Sequence, residues 1–104
     1  MTEIPIIALS PEFYKLILNK KKTTTIRSGH RDYPLGDAIL NWGEDYSRIT
    51  ISKIEYKPFK ELTQQEAESD GFLTLDELKK TLLRFYPSLL PDSEVSVIYF
   101  NIKE

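Results

Sequence analysis

The sequence predicts an α+β fold, a small and mostly antiparallel β-barrel or strongly curled sheet with helices packed at its ends. Five apolar segments have strand lengths, and short turns join the middle strands, which favours antiparallel pairing. Near Ser52-Lys53 the apolar face of one strand shifts, which indicates a bulge that bends the strand around a small barrel. Helical patterns separate the other strands, so the predicted order is β-α-β-β-β-α-α-β.

The composition is that of a soluble globular protein, with 40% hydrophobic and 29% charged residues in a chain of 104. This length suffices for a single domain, residues 1–104, with one modest core. The absence of cysteine excludes a disulfide scaffold, a cysteine zinc site and a thiol nucleophile. Neither a signal peptide nor a membrane-spanning segment is recognisable, so we expect a cytoplasmic protein.

The charge is unevenly distributed along the chain, although the formal net charge is only −2. The first 60 residues carry a net charge of +3 and the remaining residues −5, with the basic excess around residues 20–31. Such a surface does not favour strong non-specific binding to long nucleic acids. A small site for a nucleotide-sized ligand is compatible with it.

The first strand and the first helix are predicted over residues 4–19. Ile4–Leu9 is a short apolar run typical of a buried strand. Ser10 can cap the helix that follows, Pro11 suits its first position, and Asn19 suits a left-handed C-cap. Helical spacing gives this segment one apolar face, which packs on the core: Leu9, Phe13, Leu16 and Ile17.

Three strands follow, at Thr23–Arg27, Ala38–Trp42 and Arg48–Lys57. The loop Ser28–Leu35 is dense in turn residues and separates the first two, and Gly36-Asp37 opens the second. Apolar and polar residues alternate along the third, as expected for a strand with one buried face.

Two helices and a last strand complete the chain. Each helix begins with a Thr-x-x-Glu capping box, at Thr63 and at Thr74, and Asp70-Gly71 separates the two. The second helix ends before Pro87. Glu94–Ile102 has apolar residues on both faces, which is typical of a central strand.

The segment from Asn19 to Arg27 is unusual because three lysines and three threonines lie between a helix and a strand. Alternation places Thr23, Thr25 and Arg27 on one face of that strand. Two hydroxyls and a guanidinium, with ammonium groups at the entrance, form a plausible wall for a polar or anionic ligand. The alternative is a solvated edge strand, in which lysine and threonine are common.

The chain resembles the ASCH family, small domains of the PUA-like fold, over nearly its whole length. The resemblance implies a small mixed β-barrel with flanking helices. One stretch is similar to the family's Lys-Thr-x-Thr-x-Arg sequence, and the others match in order and spacing. The matching stretches are Lys22–Arg27, Gly36-Asp37, Ala67–Phe72, Thr74–Leu78 and Tyr86-Pro87.

Within that family the chain is most similar to the small bacterial N4-acetylcytidine amidohydrolases. These hydrolyse the acetyl amide on the exocyclic nitrogen of cytosine in nucleosides. The resemblance implies a catalytic group of Lys22, Thr25 and Asp70. The family has glutamate where this chain has Asp70, and the match requires a one-residue insertion at Phe72. A glycine that often precedes the lysine cluster is lysine here.

This catalytic group makes chemical sense, because amide hydrolysis needs a nucleophile and a base to activate it. Thr25 supplies a hydroxyl, and Lys22 can be the base if its pKa falls from about 10.4 towards neutrality. Burial and nearby positive charges both favour such a fall. Asp70 would act on the leaving nitrogen or orient the base. Since residues three apart on a regular strand point to opposite faces, Lys22 must precede the strand or lie at a bulge.

Lys21, Arg27 and Trp42 are the candidate substrate-binding residues. Arg27 could bind a carbonyl or a phosphate, or instead form an ion pair with a carboxylate of the acidic C-terminal half. Trp42 could stack on a base, although core packing is the commoner use of tryptophan. His30 is the single histidine, so no metal site is supported and no cofactor is expected.

Two functions are therefore predicted. The first is hydrolysis of the acetyl amide of N4-acetylcytidine or a related acylated pyrimidine nucleoside, a small-molecule substrate. The alternative is a non-catalytic RNA- or nucleotide-binding module, which the PUA-like fold and the basic residues 20–31 indicate.

Overall fold

A computed structural model describes residues 4–103 of the chain. Its strands are β1 (Ile6–Ala8), β2 (Thr24–Ser28), β3 (Gly36–Trp42), β4 (Asp45–Pro58) and β5 (Glu94–Ile102). Its helices are α1 (Tyr14–Leu18), α2 (Gln64–Ser69) and α3 (Leu75–Phe85), with 3₁₀ turns at Pro11–Phe13 and Phe59–Glu61. The order of these elements is the predicted one.

The strands form one sheet in the order β1-β3-β4-β5-β2. β1 runs parallel to β3, and the other neighbours are antiparallel. A register shift between Ile51 and Lys53 confirms the predicted bulge in β4. The guanidinium Nη2 of Arg27 in β2 donates a hydrogen bond to the carbonyl of Ala8 in β1. The sheet is thus a curled half-barrel with a side chain linking its two edges, which confirms the predicted α+β, PUA-like class.

Each face of the sheet has its own hydrophobic core. The first core packs α1 against the sheet and consists of Ile7, Leu9, Ile17, Ala38, Leu40, Trp42, Ile49, Ile51, Ile98 and Phe100. The second lies under α2 and α3 and consists of Ile26, Phe59, Leu62, Ala67, Leu78, Leu82, Leu89, Val95 and Val97. β5 contributes to both cores, as expected for a central strand. Because β2 pairs with β5, it also has one face towards each core.

The N-terminal elements differ from the prediction in three ways. β1 is an edge strand of three residues in which Ile7 is buried but Ile6 is 64% exposed, because only alternate residues face the core. Ser10 makes no side-chain capping bond, since the chain enters α1 through a 3₁₀ turn. The left-handed residue after α1 is Lys20, with φ of 58°, and not Asn19.

The two later helices begin at the predicted threonines, and the capping box is complete only in the first of them. Thr63 and Glu66 form a complete capping box at α2, and the Thr74 hydroxyl accepts a hydrogen bond from the backbone N–H of Glu77 at α3. Gly71, with φ of 94°, turns the chain between them. Within residues 4–103, no helix has the length and apolar character needed to cross a membrane.

Candidate active site

A cavity of about 230 Å³ lies between β2, the segment that follows β1, and α3. Its volume is just below the ~300 Å³ at which pockets for drug-sized ligands begin, so it suits a compact ligand. The wall combines apolar and aromatic side chains with a few polar ones. It consists of Leu9, Ser10, Phe13, Lys22, Thr25, Ile26, Arg27, Asp70, Phe72, Leu78, Thr81, Leu82, Phe85 and Tyr86.

Lys22 is buried in this wall, with only 3% of its surface exposed. Its Nζ lies 2.9 Å from Asp70 Oδ1 and donates a hydrogen bond of 3.1 Å to the Asp70 main-chain oxygen. The ammonium also lies 4.9 Å from the centroid of the Phe13 ring. Lys22 precedes the first residue of β2, so strand alternation does not fix the direction of its side chain. This satisfies the geometric condition set by the sequence.

Asp70 is 4% exposed and has a third interaction, with a residue that the sequence argument assigned no role. The Thr24 hydroxyl, which is fully buried, donates a hydrogen bond of 2.9 Å to Asp70 Oδ1. Strand alternation places Thr24 with Ile26, on the strand face opposite Thr25. A polar residue beside Ile26 on the core-facing side of the strand was therefore the signal that could have identified it.

Gly71 allows the turn after Asp70 to approach Lys22 closely. A Cβ added at Gly71 would lie 3.1 Å from Leu16 Cδ1 and 3.3 Å from Lys22 Cβ. These distances are shorter than ordinary van der Waals contact, and the positive φ adds strain for any other residue. A small residue is thus required where α2 ends against the base of the Lys22 side chain.

Burial changes the pKa values of both members of the Lys22–Asp70 pair. It lowers the pKa of the Lys22 amine, against the opposing effect of the Asp70 carboxylate and together with that of the Arg27 charge. It raises the pKa of the Asp70 carboxyl, against the opposing effects of Lys22, Thr24 and Arg27. In each group burial is the larger effect, because a dry site disfavours the ionised form.

Thr25 and Arg27 line the cavity from the other face of β2. Thr25 is 2% exposed and pairs with Ile98 of the first core. The guanidinium of Arg27 donates a hydrogen bond to the Ala8 carbonyl, and among residues 4–103 it forms no ion pair with the acidic half of the chain. Within the described residues, Arg27 Nε is buried and has no hydrogen-bond partner.

Two predicted substrate-binding residues lie elsewhere. Lys21 is exposed and is not among the residues of the cavity wall. Trp42 is 6% exposed in the first core, where its ring packs edge-on to Tyr14 at 5.0 Å, and it is not among the residues of the cavity wall. The aromatic residues of the cavity are instead Phe13, Phe72, Phe85 and Tyr86. Their segments meet only in the folded chain, so local sequence patterns do not indicate them.

The other titratable candidates have structural partners. His30 is exposed, stacks on Tyr56 with centroids 3.9 Å apart, and bonds through Nδ1 to Glu94 at 2.7 Å. Glu68, which lies two residues before Asp70, is exposed and accepts a hydrogen bond from Gln64. Neither residue is in the cavity wall.

A curled five-stranded half-barrel with a polar cluster in a cavity at its open edge defines a small α+β domain of the PUA-like class. The family model of the ASCH domain matches residues 6–104. The chain therefore belongs to the ASCH domain family. A search of the curated proteins found no match.

Solved structures share this fold at low sequence identity. A protein from Enterococcus faecalis V583 superposes with a TM-score of 0.82 at 19% identity, over 99% of this chain and 78% of that one. An ASCH domain from Lactobacillus crispatus JV V101 gives 0.76 at 15% identity, over 94% and 79%. The ASCH protein from Zymomonas mobilis gives 0.64 at 18% identity, over 92% and 65%. These likenesses establish the fold.

Proposed function

We propose that the protein hydrolyses the acetyl amide of N4-acetylcytidine or a related acylated pyrimidine nucleoside. The observation that carries this proposal is that Lys22, Thr25 and Asp70 line one compact cavity, each no more than 4% exposed. Asp70 is 45 residues or more from the other two in sequence. A hydroxyl, an amine and a carboxyl group thus meet in a partly apolar cavity, where pKa values are most easily tuned.

The contacts of Lys22 suit it to act as the general base. A neutral amine has two N–H groups and one lone pair. The two contacts of Nζ with Asp70, at Oδ1 and at the main-chain oxygen, can take up both N–H groups. The lone pair is then left to accept a proton, and the burial that lowers the pKa of Lys22 favours this neutral form.

The reaction then has two stages. Thr25 Oγ attacks the acetyl carbonyl while Lys22 accepts the hydroxyl proton, which gives a tetrahedral intermediate. The C–N bond breaks, the Lys22 ammonium returns the proton to the exocyclic nitrogen, and cytidine leaves an acetylated Thr25. Water, deprotonated by Lys22, hydrolyses this ester and releases acetate.

Asp70 has the role of a positioning residue in this scheme. Its side chain and main chain both contact Nζ, and Thr24 fixes the carboxyl group from the other side. These contacts favour orientation of the base over direct protonation of the leaving nitrogen.

Incubation of the protein with N4-acetylcytidine tests the proposal, by following the loss of substrate absorbance and the appearance of cytidine. We expect turnover that falls by roughly three orders of magnitude or more in Thr25→Ala, as when a nucleophile is removed. Thr23→Ala is the matched control, since Thr23 is exposed and lies outside the cavity wall. A folded protein without turnover would refute the proposal, as would a Thr25→Ala variant that equals Thr23→Ala.

A non-catalytic RNA-binding module is the second candidate, favoured by the exposed lysines Lys20 and Lys21 at the entrance to β2. It requires binding of short RNA that weakens as salt rises. Lys21→Ala would reduce that binding and leave the hydrolysis of N4-acetylcytidine unchanged. Absence of binding at low salt would exclude this candidate.

A further inference from the structure

The backbone N–H and C=O groups of successive residues in β2 point alternately to the two sides of the strand. In an antiparallel pair, each residue directs both its N–H and its C=O either to the partner strand or away from it, in turn. At one end of β2, Phe100 N–H donates to the Thr23 carbonyl (3.1 Å), and just beyond the other end Gly29 N–H donates to the Glu94 carbonyl (2.8 Å). Odd-numbered residues therefore face β5.

It follows that Ile26 directs its N–H and C=O away from β5. β2 is an edge strand, and no other strand of the described sheet pairs with it on that side. Ile26 nevertheless lines the cavity and is only 4% exposed. A buried backbone donor and acceptor need hydrogen-bond partners, and the described sheet has no strand on the side to which these two groups point.

The N–H and C=O of Ile26 form a donor–acceptor pair with a defined geometry. In an extended residue, the N–H and C=O lie side by side and point in the same direction. They match a planar ligand that carries an acceptor next to a donor. An acylated amino-heterocycle such as N4-acetylcytosine has this arrangement, because ring nitrogen N3 accepts a hydrogen bond next to the N4–H donor. An acylated alkylamine has no such adjacent ring acceptor.

We propose that the open edge of β2 binds the base, with Ile26 N–H donating to N3 and Ile26 C=O accepting from N4–H. This inference rests on the proposed hydrolysis and narrows its substrate class. The substrates are amides in which the acylated amino group adjoins a ring nitrogen. Ile26 directly follows Thr25, so a base held on this edge brings its acyl group to the side of the strand where the nucleophile lies.

Binding to the Thr25→Ala variant, which prevents turnover, is the first test. The probes are N4-acetylcytidine and its 3-deaza analogue, in which C–H replaces N3. Loss of one hydrogen bond predicts about tenfold weaker binding of the 3-deaza compound. Equal affinities for the two compounds would overturn the proposal.

A second change, Ile26→Pro in the same variant, removes the N–H donor. Proline is tolerated on an edge strand where the N–H is not used by the sheet. We expect about tenfold weaker binding of N4-acetylcytidine and no further loss with the 3-deaza compound, since both changes remove the same bond. Ile26→Ala is the control for the lost side chain and keeps the difference between the two compounds. Independent, additive losses would contradict the assignment.

Folding gives a separate readout. If Ile26→Pro unfolds while Ile26→Ala folds, the N–H takes part in the sheet and the proposal fails.

Amide hydrogen exchange in the free protein should show Ile26 less protected than Thr25 and Arg27, and added N4-acetylcytidine should protect Ile26 in the Thr25→Ala variant. If the wild-type protein turns over N4-acetylcytidine but Ile26 stays unprotected, the hydrolysis stands and the base-binding edge is refuted. If there is neither turnover nor binding of N4-acetylcytidine, both the hydrolysis and the base-binding edge are refuted.

Discussion

The amine of Lys22 contacts two different oxygens of Asp70, the carboxyl Oδ1 at 2.9 Å and the main-chain oxygen at 3.1 Å. One contact depends on the ionisation of a side chain and the other does not. The position of the amine is therefore fixed by the course of the backbone between α2 and α3 as well as by the charge of Asp70. A change in protonation leaves the main-chain contact in place.

Replacement of Lys22 by methionine should abolish most of the hydrolysis while the fold is kept. Methionine has a similar length and an apolar body that suits the buried site, but it cannot accept a proton. We expect turnover to fall by at least about 100-fold, the usual contribution of a general base. Lys21→Met is the control, because Lys21 is an exposed neighbour outside the cavity wall. Equal rates in the two variants would exclude Lys22 as the base.

The pH dependence of kcat/KM should rise to a plateau as Lys22 loses its proton, with a midpoint below the ordinary lysine value of 10.5. The Asp70 carboxylate raises the pKa of Lys22 and the Arg27 charge lowers it. Asp70→Asn should therefore move the rising limb to lower pH, and Arg27→Gln should move it to higher pH. Rate profiles of the two variants check these opposite shifts. Shifts in the same direction would show that another group titrates.

Replacement of Gly71 by alanine should reduce both stability and turnover. The left-handed backbone alone costs roughly 1–2 kcal/mol for a residue with a Cβ, and here the Cβ also crowds Leu16 and Lys22. Gly43→Ala is the matched control, because Gly43 has a similar φ of 83° with nothing within 4 Å of the added Cβ. Thermal unfolding should show the larger loss for Gly71→Ala, and only that variant should lose turnover. Equal losses would mean that the close approach to Lys22 has no consequence.

Replacement of Thr24 by valine should loosen Asp70 without changing the volume of the buried site. The lost hydrogen bond predicts a decrease in the free energy of unfolding of about 0.5–1.5 kcal/mol. Because the Thr24 hydroxyl lowers the pKa of Asp70, that pKa should rise further in the variant. Carboxyl-carbon NMR titration measures this shift, and Thr23→Val, at an exposed position, should leave it unchanged.

The fold could be predicted from the sequence in most of its parts, because periodicity and turn chemistry are local properties. The change of apolar face along β4 predicted the bulge at Ile51–Lys53, and the Thr-x-x-Glu pattern predicted the capping box at Thr63. The edge position of β1 was missed, since a short apolar run looks the same on an edge as in the centre of a sheet. Its parallel pairing with β3 depends on contacts distant in sequence.

The candidate site could be predicted only in part. The resemblance to a family brought Lys22, Thr25 and Asp70 together, and all three lie in one cavity wall. Thr24 was missed because its partner Asp70 is 46 residues away. The position of Trp42 in the first core could not be predicted, because an aromatic residue in a strand has the same local sequence pattern in a core as at a ligand site.

The bond from Arg27 to the Ala8 carbonyl links β1 and β2 where two neighbouring strands would otherwise pair along their backbones. The two edge strands β1 and β2 are therefore joined at one point, and the rest of the gap between them is open as a cleft. A flat molecule lying in this gap between β1 and β2 would occupy the place of a missing strand. Its binding would add cross-links between the two halves of the sheet, so a true ligand should raise the melting temperature of the protein.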